Sequence, residues 1–123
     1  MKKPKSAQPR KQRKWLFESP LHIKSKMVSS PLSRELRSKY NRRRLTPRKG
    51  DTIEVVRGEH KGVSGEVSKV DTKGRKVYVS GVTAKKIDGT EVERPIDASN
   101  IVIKELFMED KERRDILERT ARK

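Results

Sequence analysis

Val and Ile cluster between positions 53 and 103 of this chain, so a hydrophobic core is expected there and hardly anywhere else. That confinement limits what can fold. The core has to be small, one domain's worth, with the remaining segments attached to it as appendages. Of the 123 residues 41% are charged and 30% hydrophobic, a balance that one compact globule of ordinary composition does not have. The charge is also uneven. The first 49 residues carry 17 Lys and Arg against two acids, Glu18 and Glu35, which accounts for +15 of the formal +16. Residues 50–104 hold 10 bases and 9 acids, and residues 105–123 hold six of each. A polycationic arm ahead of two nearly neutral segments points to a polyanionic partner, of which nucleic acid is the most abundant.

The same composition removes several classes of function. Without cysteine there are no disulfides, thiolate metal sites or cysteine nucleophile. Apolar runs reach only two or three residues, too short for a membrane span, and the N-terminus lacks an apolar signal core. A cytoplasmic location is expected. His22 and His60, the two histidines, are far apart in sequence and make a poor metal site. Asp51, Glu54, Glu59 and Glu66 could in principle pair for acid–base chemistry. They read as exposed strand or loop residues among lysines, with no apolar pocket to raise a carboxyl pKa. No Walker loop, nucleophile elbow or zinc-protease pattern is present. The chain is expected not to be an enzyme and to take no cofactor or small-molecule substrate.

Residues 1–14 have almost no apolar content and two prolines, which predicts an extended or disordered arm that orders along phosphates. Arg10, Lys11, Arg13 and Lys14 are its candidate RNA contacts. Trp15 and Phe17 could stack on bases or pack the arm onto the protein, and packing is the expectation for Phe17. Ser19-Pro20 and Ser30-Pro31 each look like a helix start, with Ser at the cap and Pro at the first helical position. Two short basic helices are expected, the second with Leu32 and Leu36 on one face and an end near Asn41. This stretch adds His22, Lys24, Lys26, Arg34, Arg37, Lys39, Tyr40 and Asn41 as candidate RNA contacts, with Tyr40 divided between RNA and core. Arg42, Arg43 and Arg44 follow, then Arg48 and Lys49 beyond Pro47, which blocks further helix.

From residue 50 to 104 the pattern changes to strands and turns. Alternation puts Ile53 and Val55, then Val77 and Val79, then Ile101 and Ile103, on one face. Val67 and Val70 have opposite parity, which requires a bulge or an early strand end. Turn signals stand at Gly58 to Gly62, at Asp71-Thr72-Lys73-Gly74, at Gly81 and at Asp88-Gly89. The last favours a two-residue type I′ hairpin, with Lys85 and Lys86 beside it as phosphate contacts. Five short strands in about 50 residues suggest a small antiparallel barrel, which removes sheet edges. Residues 108–122 carry acid-first i,i+4 pairs and read as a surface helix with Ile116 and Leu117 as its strong apolar residues.

The stretch from Lys49 to Val67 is the most informative. It is a strand, a Gly-bounded basic loop and a second strand. Gly58, Gly62 and Gly65 allow positive φ and close backbone approach to a phosphate or ribose. Arg57, His60 and Lys61 add charge and a stackable ring to the loop. Gly58 to Val67 fits G-x-x-K-G-x-x-G-x-V and resembles the KOW motif of ribosomal proteins and transcription elongation factors. Lys49-Gly50-Asp51, Gly81-Val82-Thr83, Pro95-Ile96 and Ser99-Asn100-Ile101 are similar to the large-subunit ribosomal protein twenty-four family. So are Pro20-Leu21-His22-Ile23, Ser30-Pro31-Leu32-Ser33, Glu35-Leu36-Arg37 and Lys39-Tyr40-Asn41-Arg42-Arg43, which resemble its archaeal and eukaryotic branch. The resemblance covers about residues 6–120.

The resemblance implies a mostly β fold: a five-stranded SH3-like KOW barrel over 50–104, a basic extension with short helices over 1–49, and a C-terminal helix over 105–123. It implies a structural protein of the large ribosomal subunit that binds ribosomal RNA and supports subunit assembly. It also implies a cytoplasmic, ribosomal location near the mouth of the exit tunnel. The implied partners are large-subunit ribosomal RNA, neighbouring large-subunit proteins and factors docking at the tunnel exit. Two other readings stay open here. One is a KOW module of transcription elongation, which the absence of a preceding mixed α/β domain disfavours. The other is a basic SH3-like protein coating DNA, disfavoured because the charge lies on the arm.

Overall fold

The computed structural model describes residues 2–122. Helix α1 (Pro9–Glu18) is followed by α2 (Leu21–Met27), strand β1 (Ser30–Pro31), α3 (Arg34–Tyr40) and β2 (Arg44–Leu45). Strands β3 (Thr52–Val55), β4 (Ser64–Asp71), β5 (Lys76–Lys85), β6 (Glu91–Asp97) and β7 (Ile101–Glu105) come next, and α4 (Lys111–Ala121) follows them. The last five strands form one antiparallel sheet in the order β6-β5-β4-β3-β7. The alternation read from the sequence is realised: Ile53, Val55, Val77, Val79, Ile101 and Ile103 are all buried.

The sheet cannot be flat. Four strand spacings of about 4.8 Å would hold its edge strands, β6 and β7, roughly 19 Å apart. The two are joined only by a 3₁₀ turn, Ala98–Asn100. Even fully extended, the link from Asp97 to Ile101 reaches only about 14 Å. The sheet therefore curls its edges toward each other around the valine and isoleucine side chains. Register shifts supply the bend, between Val67 and Lys69 in β4 and between Tyr78 and Thr83 in β5. The first is the irregularity that the parity of Val67 and Val70 requires. The second lies at Gly81, which the sequence marks as a turn between strands. It is instead a bulge inside one long strand, with φ +91°, and it returns Val82 to the core.

The β5–β6 connection also differs from expectation. Lys86 N–H donates to the Thr90 carbonyl (2.8 Å) and Gly89 N–H to the Lys86 carbonyl (3.0 Å), closing a three-residue loop. Gly89 has positive φ whereas Asp88 does not, so the type I′ geometry is excluded.

The core extends beyond the middle segment. Val28, Leu32 and Leu45 come from the basic arm and Leu117 from α4, and all four are buried with the sheet residues. β1 and β2 pair antiparallel, Leu32 bridges Ile103 in parallel, and Ser33 N–H donates to the Ile103 carbonyl at 2.9 Å. The arm thus covers the edge of β7, which would otherwise offer unpaired backbone groups. Ser30 Oγ, expected at a helix cap, donates to the Ala98 carbonyl at 2.7 Å inside the protein. The cap of α3 is Ser33, whose hydroxyl accepts from Leu36 N–H. Ser19 closes α1 and Pro20 stands at the cap of α2. Asn41, in the left-handed region at φ 50°, ends α3 as expected. Residues 9–14, expected to be extended or disordered, lie in α1. Pro9 presets the first turn, and Arg, Lys and Gln are good helix formers that need no core to favour a helix.

Two further expectations fail for one shared reason. Asp51, read as exposed, is fully buried, and α4, read as a surface helix, buries Arg113 and Leu117. The Arg113 guanidinium meets the Asp51 carboxylate in two bonds, Nη1 to Oδ1 and Nη2 to Oδ2, both 2.6 Å. Phe107 N–H and Arg48 N–H each donate to the same carboxylate at 2.9 Å. Arg113 also donates to the Phe107 carbonyl (3.0 Å) and the Thr46 carbonyl (3.3 Å). A bidentate pair with these added bonds offsets much of the desolvation of both charges, with Arg113 Nε left unpartnered among the described residues.

Breaking that pair from one side leaves a buried charge without a partner. Arg113→Met is expected to lose about 3–5 kcal/mol of stability in chemical denaturation. Asp51→Asn should also be destabilised, and the double variant should lose clearly less than the two single losses added. Strictly additive losses would count against a coupled pair. Leu117→Ala, which empties the place where α4 enters the core, should cost about 2–5 kcal/mol.

Candidate nucleic-acid interface

The basic side chains are distributed over several elements. Arg10, Lys11, Arg13 and Lys14 are exposed on α1, His22 and Lys26 on α2, and Arg34, Arg37 and Lys39 on α3. Asn41, Arg43, Arg44, Arg48 and Lys49 are exposed along the segment that leads into β3, with Arg42 half-buried among them. Arg57, Gly58, Lys61 and Gly62 are exposed in the β3–β4 loop, and Lys85 and Lys86 in the β5–β6 hairpin. Several of these groups also have an internal task. Arg37 Nε donates to the Leu32 carbonyl (2.9 Å), Arg42 to Arg44 O (3.0 Å) and Thr120 Oγ1 (3.4 Å), and Arg48 pairs with Asp110. Lys24 is turned inward: its ammonium donates to the Phe17 carbonyl at 2.9 Å and ties the end of α1 to α2. Tyr40 packs against the core, whereas Phe17, expected to pack, is 71% exposed.

Two grooves gather part of the set. The larger, about 800 Å³, lies between α1, the β1–β2 pair and the β4–β5 turn. Trp15, Arg37, Arg43 and Arg44 line it, joined by Lys3, Arg75 and Lys76. The smaller, about 170 Å³, runs under the β3–β4 loop and is lined by Arg57, Gly58 and His60 together with Lys76 and Arg94. Lys76 and Asp97 line both grooves and pair with each other, so the two are neighbours along the sheet edge. Lys3, Arg75, Lys76 and Arg94 were missed by sequence reasoning. Gly74-Arg75-Lys76 directly after a turn was the signal available for two of them. The chemistry of both grooves is that of donors and cations, suited to phosphodiester oxygens and to base acceptors. Glu59, the acid of the smaller groove's loop, is paired with Arg94 at 2.6 Å. Lys85 and Lys86 stand apart from the grooves, on a hairpin whose tip holds the fully exposed Ile87. There the Thr90 backbone N–H and then its hydroxyl lower the pKa of Asp88 from the usual carboxylate value.

The loop glycine behaves as its position demands. Gly62 has φ +91°, and an added Cβ would meet nothing within 4 Å. Gly62 N–H donates to the Val55 carbonyl at 2.7 Å, which closes the loop back onto β3. Among the described residues no helix is long and apolar enough to cross a membrane, and no cluster of His, Asp and Glu is placed to hold a metal.

A small curled sheet with a cationic arm folded over one edge, and grooves rich in donors, form a surface suited to a polyanion. The sequence is matched over residues 6–120 by the family that unites the eukaryotic ribosomal proteins L26 with their archaeal L24 counterparts, and the chain belongs to that family. It is 46% identical over 115 residues to the large ribosomal subunit protein uL24 of Korarchaeum cryptofilum, covering 94% of this chain and 88% of the relative. It is 48% identical over 108 residues to the uL24 proteins of Methanospirillum hungatei and Methanoregula boonei, covering 88% of this chain and 90% and 89% of theirs.

Gly62→Val is expected to lower stability by about 1 kcal/mol or more, read by thermal melting. The space around the Cβ is open, so the loss comes from backbone conformation and not from a clash. Gly62→Asn, which tolerates positive φ better, should lose less. A Val variant that melts like the parent would remove the conformational role.

Proposed function

We propose that this chain is a structural, non-enzymatic constituent of the large ribosomal subunit in the cytoplasm, and that it binds ribosomal RNA. Membership of the ribosomal protein family supports the first part. The observation that carries the second is the concentration of charge: a net +15 arm is folded against a nearly neutral sheet and contributes Arg37, Arg43 and Arg44 to one donor-lined groove. Phosphate contacts from such an arm fix the protein on RNA, and the sheet holds those contacts at set spacings.

In this reading residues 1–49 are the RNA-binding extension, 50–104 an SH3-like KOW barrel and 105–123 a C-terminal segment whose helix α4 locks the two together. The curl enforced by the three-residue link between β6 and β7 supports a barrel-like closure. The exposed cationic residues of α1, α2, α3, the 41–49 segment, the β3–β4 loop and the hairpin are the RNA-contacting set. Neighbouring large-subunit proteins are the second class of partner. A place at the tunnel mouth follows from the family resemblance, and the hairpin tip at Ile87 is then the surface for factors docking there. Binding of this kind supports subunit assembly by holding RNA segments at a fixed separation.

Two measurements test the reading. On a sucrose gradient of a lysate the protein should travel with the large subunit, and a position at the top of the gradient in low salt would overturn it. In binding titrations with large-subunit RNA, each neutralised phosphate contributes roughly 0.7–0.9 to the slope of log K against log salt. Converting Arg10, Lys11, Arg13 and Lys14 together to Gln in the full chain should flatten the slope by about 3 with little change in melting. An unchanged slope would remove α1 from the interface.

A further inference from the structure

The larger groove contains more than charge. Trp15 lines it, and its indole Nε1 is buried without a hydrogen-bond partner among the described residues. Arg75 lines the same groove with its Nε in the same condition. Buried donors without acceptors are uncommon and call for an explanation. Arg75 is also held at φ +59°, a left-handed conformation that a residue other than glycine adopts at a cost. Neighbouring Asp71 shapes this turn by accepting Gly74 N–H at 3.0 Å, and Arg75 follows directly on the groove wall. The face of the Trp15 ring is covered by the Lys3 ammonium, 5.8 Å from the ring centroid. Lys3 belongs to the exposed stretch ahead of α1, which has no regular secondary structure. The acid in the groove, Asp97, is already paired with Lys76.

The geometry points to a binding site for a single unpaired nucleotide of RNA. It rests on the RNA-binding reading above and gives it a chemical target. The nucleobase stacks on the Trp15 face in the place that Lys3 occupies, and its flanking phosphates lie against Arg43, Arg44 and Arg75. The indole N–H and the Arg75 Nε–H, buried in the free protein, gain acceptors on base, ribose or phosphate oxygens as the groove opens to admit the nucleotide. Magnitude favours the exchange: base stacking on an aromatic ring outweighs a single solvent-exposed cation–π contact. Lys3, on its flexible stem, is free to take up a phosphate once displaced. A duplex keeps its bases inside and cannot offer one to Trp15, so the site distinguishes unpaired from paired RNA.

Trp15 is the one tryptophan of the chain, so its emission reports on the surroundings of this one ring. The full-length protein is titrated with a short single-stranded RNA, with a blunt RNA duplex, and with an abasic oligonucleotide of the same length and charge, each followed by anisotropy of a labelled strand. Saturable quenching of Trp15 by the single strand, absent with the duplex and the abasic strand, is the expected result. Trp15→Leu should weaken single-strand binding about 5- to 100-fold and leave duplex binding unchanged. Arg75→Gly separates recognition from folding. Glycine suits φ +59°, so this variant should melt no lower than the parent while losing single-strand affinity. Unchanged Trp15 emission with RNA bound, or equal quenching by the abasic strand, overturns the nucleotide site and leaves the RNA-binding reading standing. Absence of binding to every RNA form overturns both.

Discussion

The carboxylate of Asp51 is where the three parts of the chain meet. It stands at the entrance to β3, accepts the backbone N–H of Arg48 at the end of the arm, and accepts that of Phe107 beyond β7. Arg113 then closes over it from α4. One buried acid thereby fixes the path of the chain on both sides of the sheet. Remove it, and four donors from three segments lose their common acceptor. An ion pair this deep is expensive to desolvate, and an apolar pair of similar volume could rival it for stability alone. What an apolar pair lacks is direction: two parallel N–H···O bonds allow α4 one orientation against the 46–51 segment.

The second constraint is the short link between β6 and β7. It forces the curl, and the curl makes so small a core sufficient. A flat five-stranded sheet would bury one face of its valines and leave two edges open. Here the edges are drawn together, and β1 with Leu32 covers the outer side of β7. The arm is therefore both the proposed ligand-binding surface and part of the fold. Its cationic residues other than Lys24 point out, while Val28, Leu32 and Leu45 point in.

Local signals were legible in the sequence and long-range ones were not. Alternation at Ile53/Val55 and Ile101/Ile103 is a property of a few adjacent residues, so period alone located those strands. The parity break between Val67 and Val70 announced a bulge or an early strand end for the same reason, and the structure has the register shift. Asp51 gave no such sign, because its burial depends on Arg113, 62 residues later. α1 was missed because apolar content was taken as the condition for order, whereas Pro9 and a run of good helix formers are enough for a local helix. The basic residues of the arm were found by their density. Arg75 and Lys76 were not, since they sit in a segment whose charges nearly cancel. Only the folded sheet brings them to the groove that Trp15 lines.

The distance along the chain between Asp51 and Arg113 has a consequence for how the molecule is made. At about 5–20 residues per second, the 62 residues that separate them take about 3–12 s to synthesise. Throughout that interval the strongly cationic arm is already translated, while the arginine that will clamp α4 to the sheet and the leucine that completes the core do not yet exist. The nascent chain is thus a polycation before it is a folded protein. The cationic segment is therefore available to RNA before the sheet can close around it.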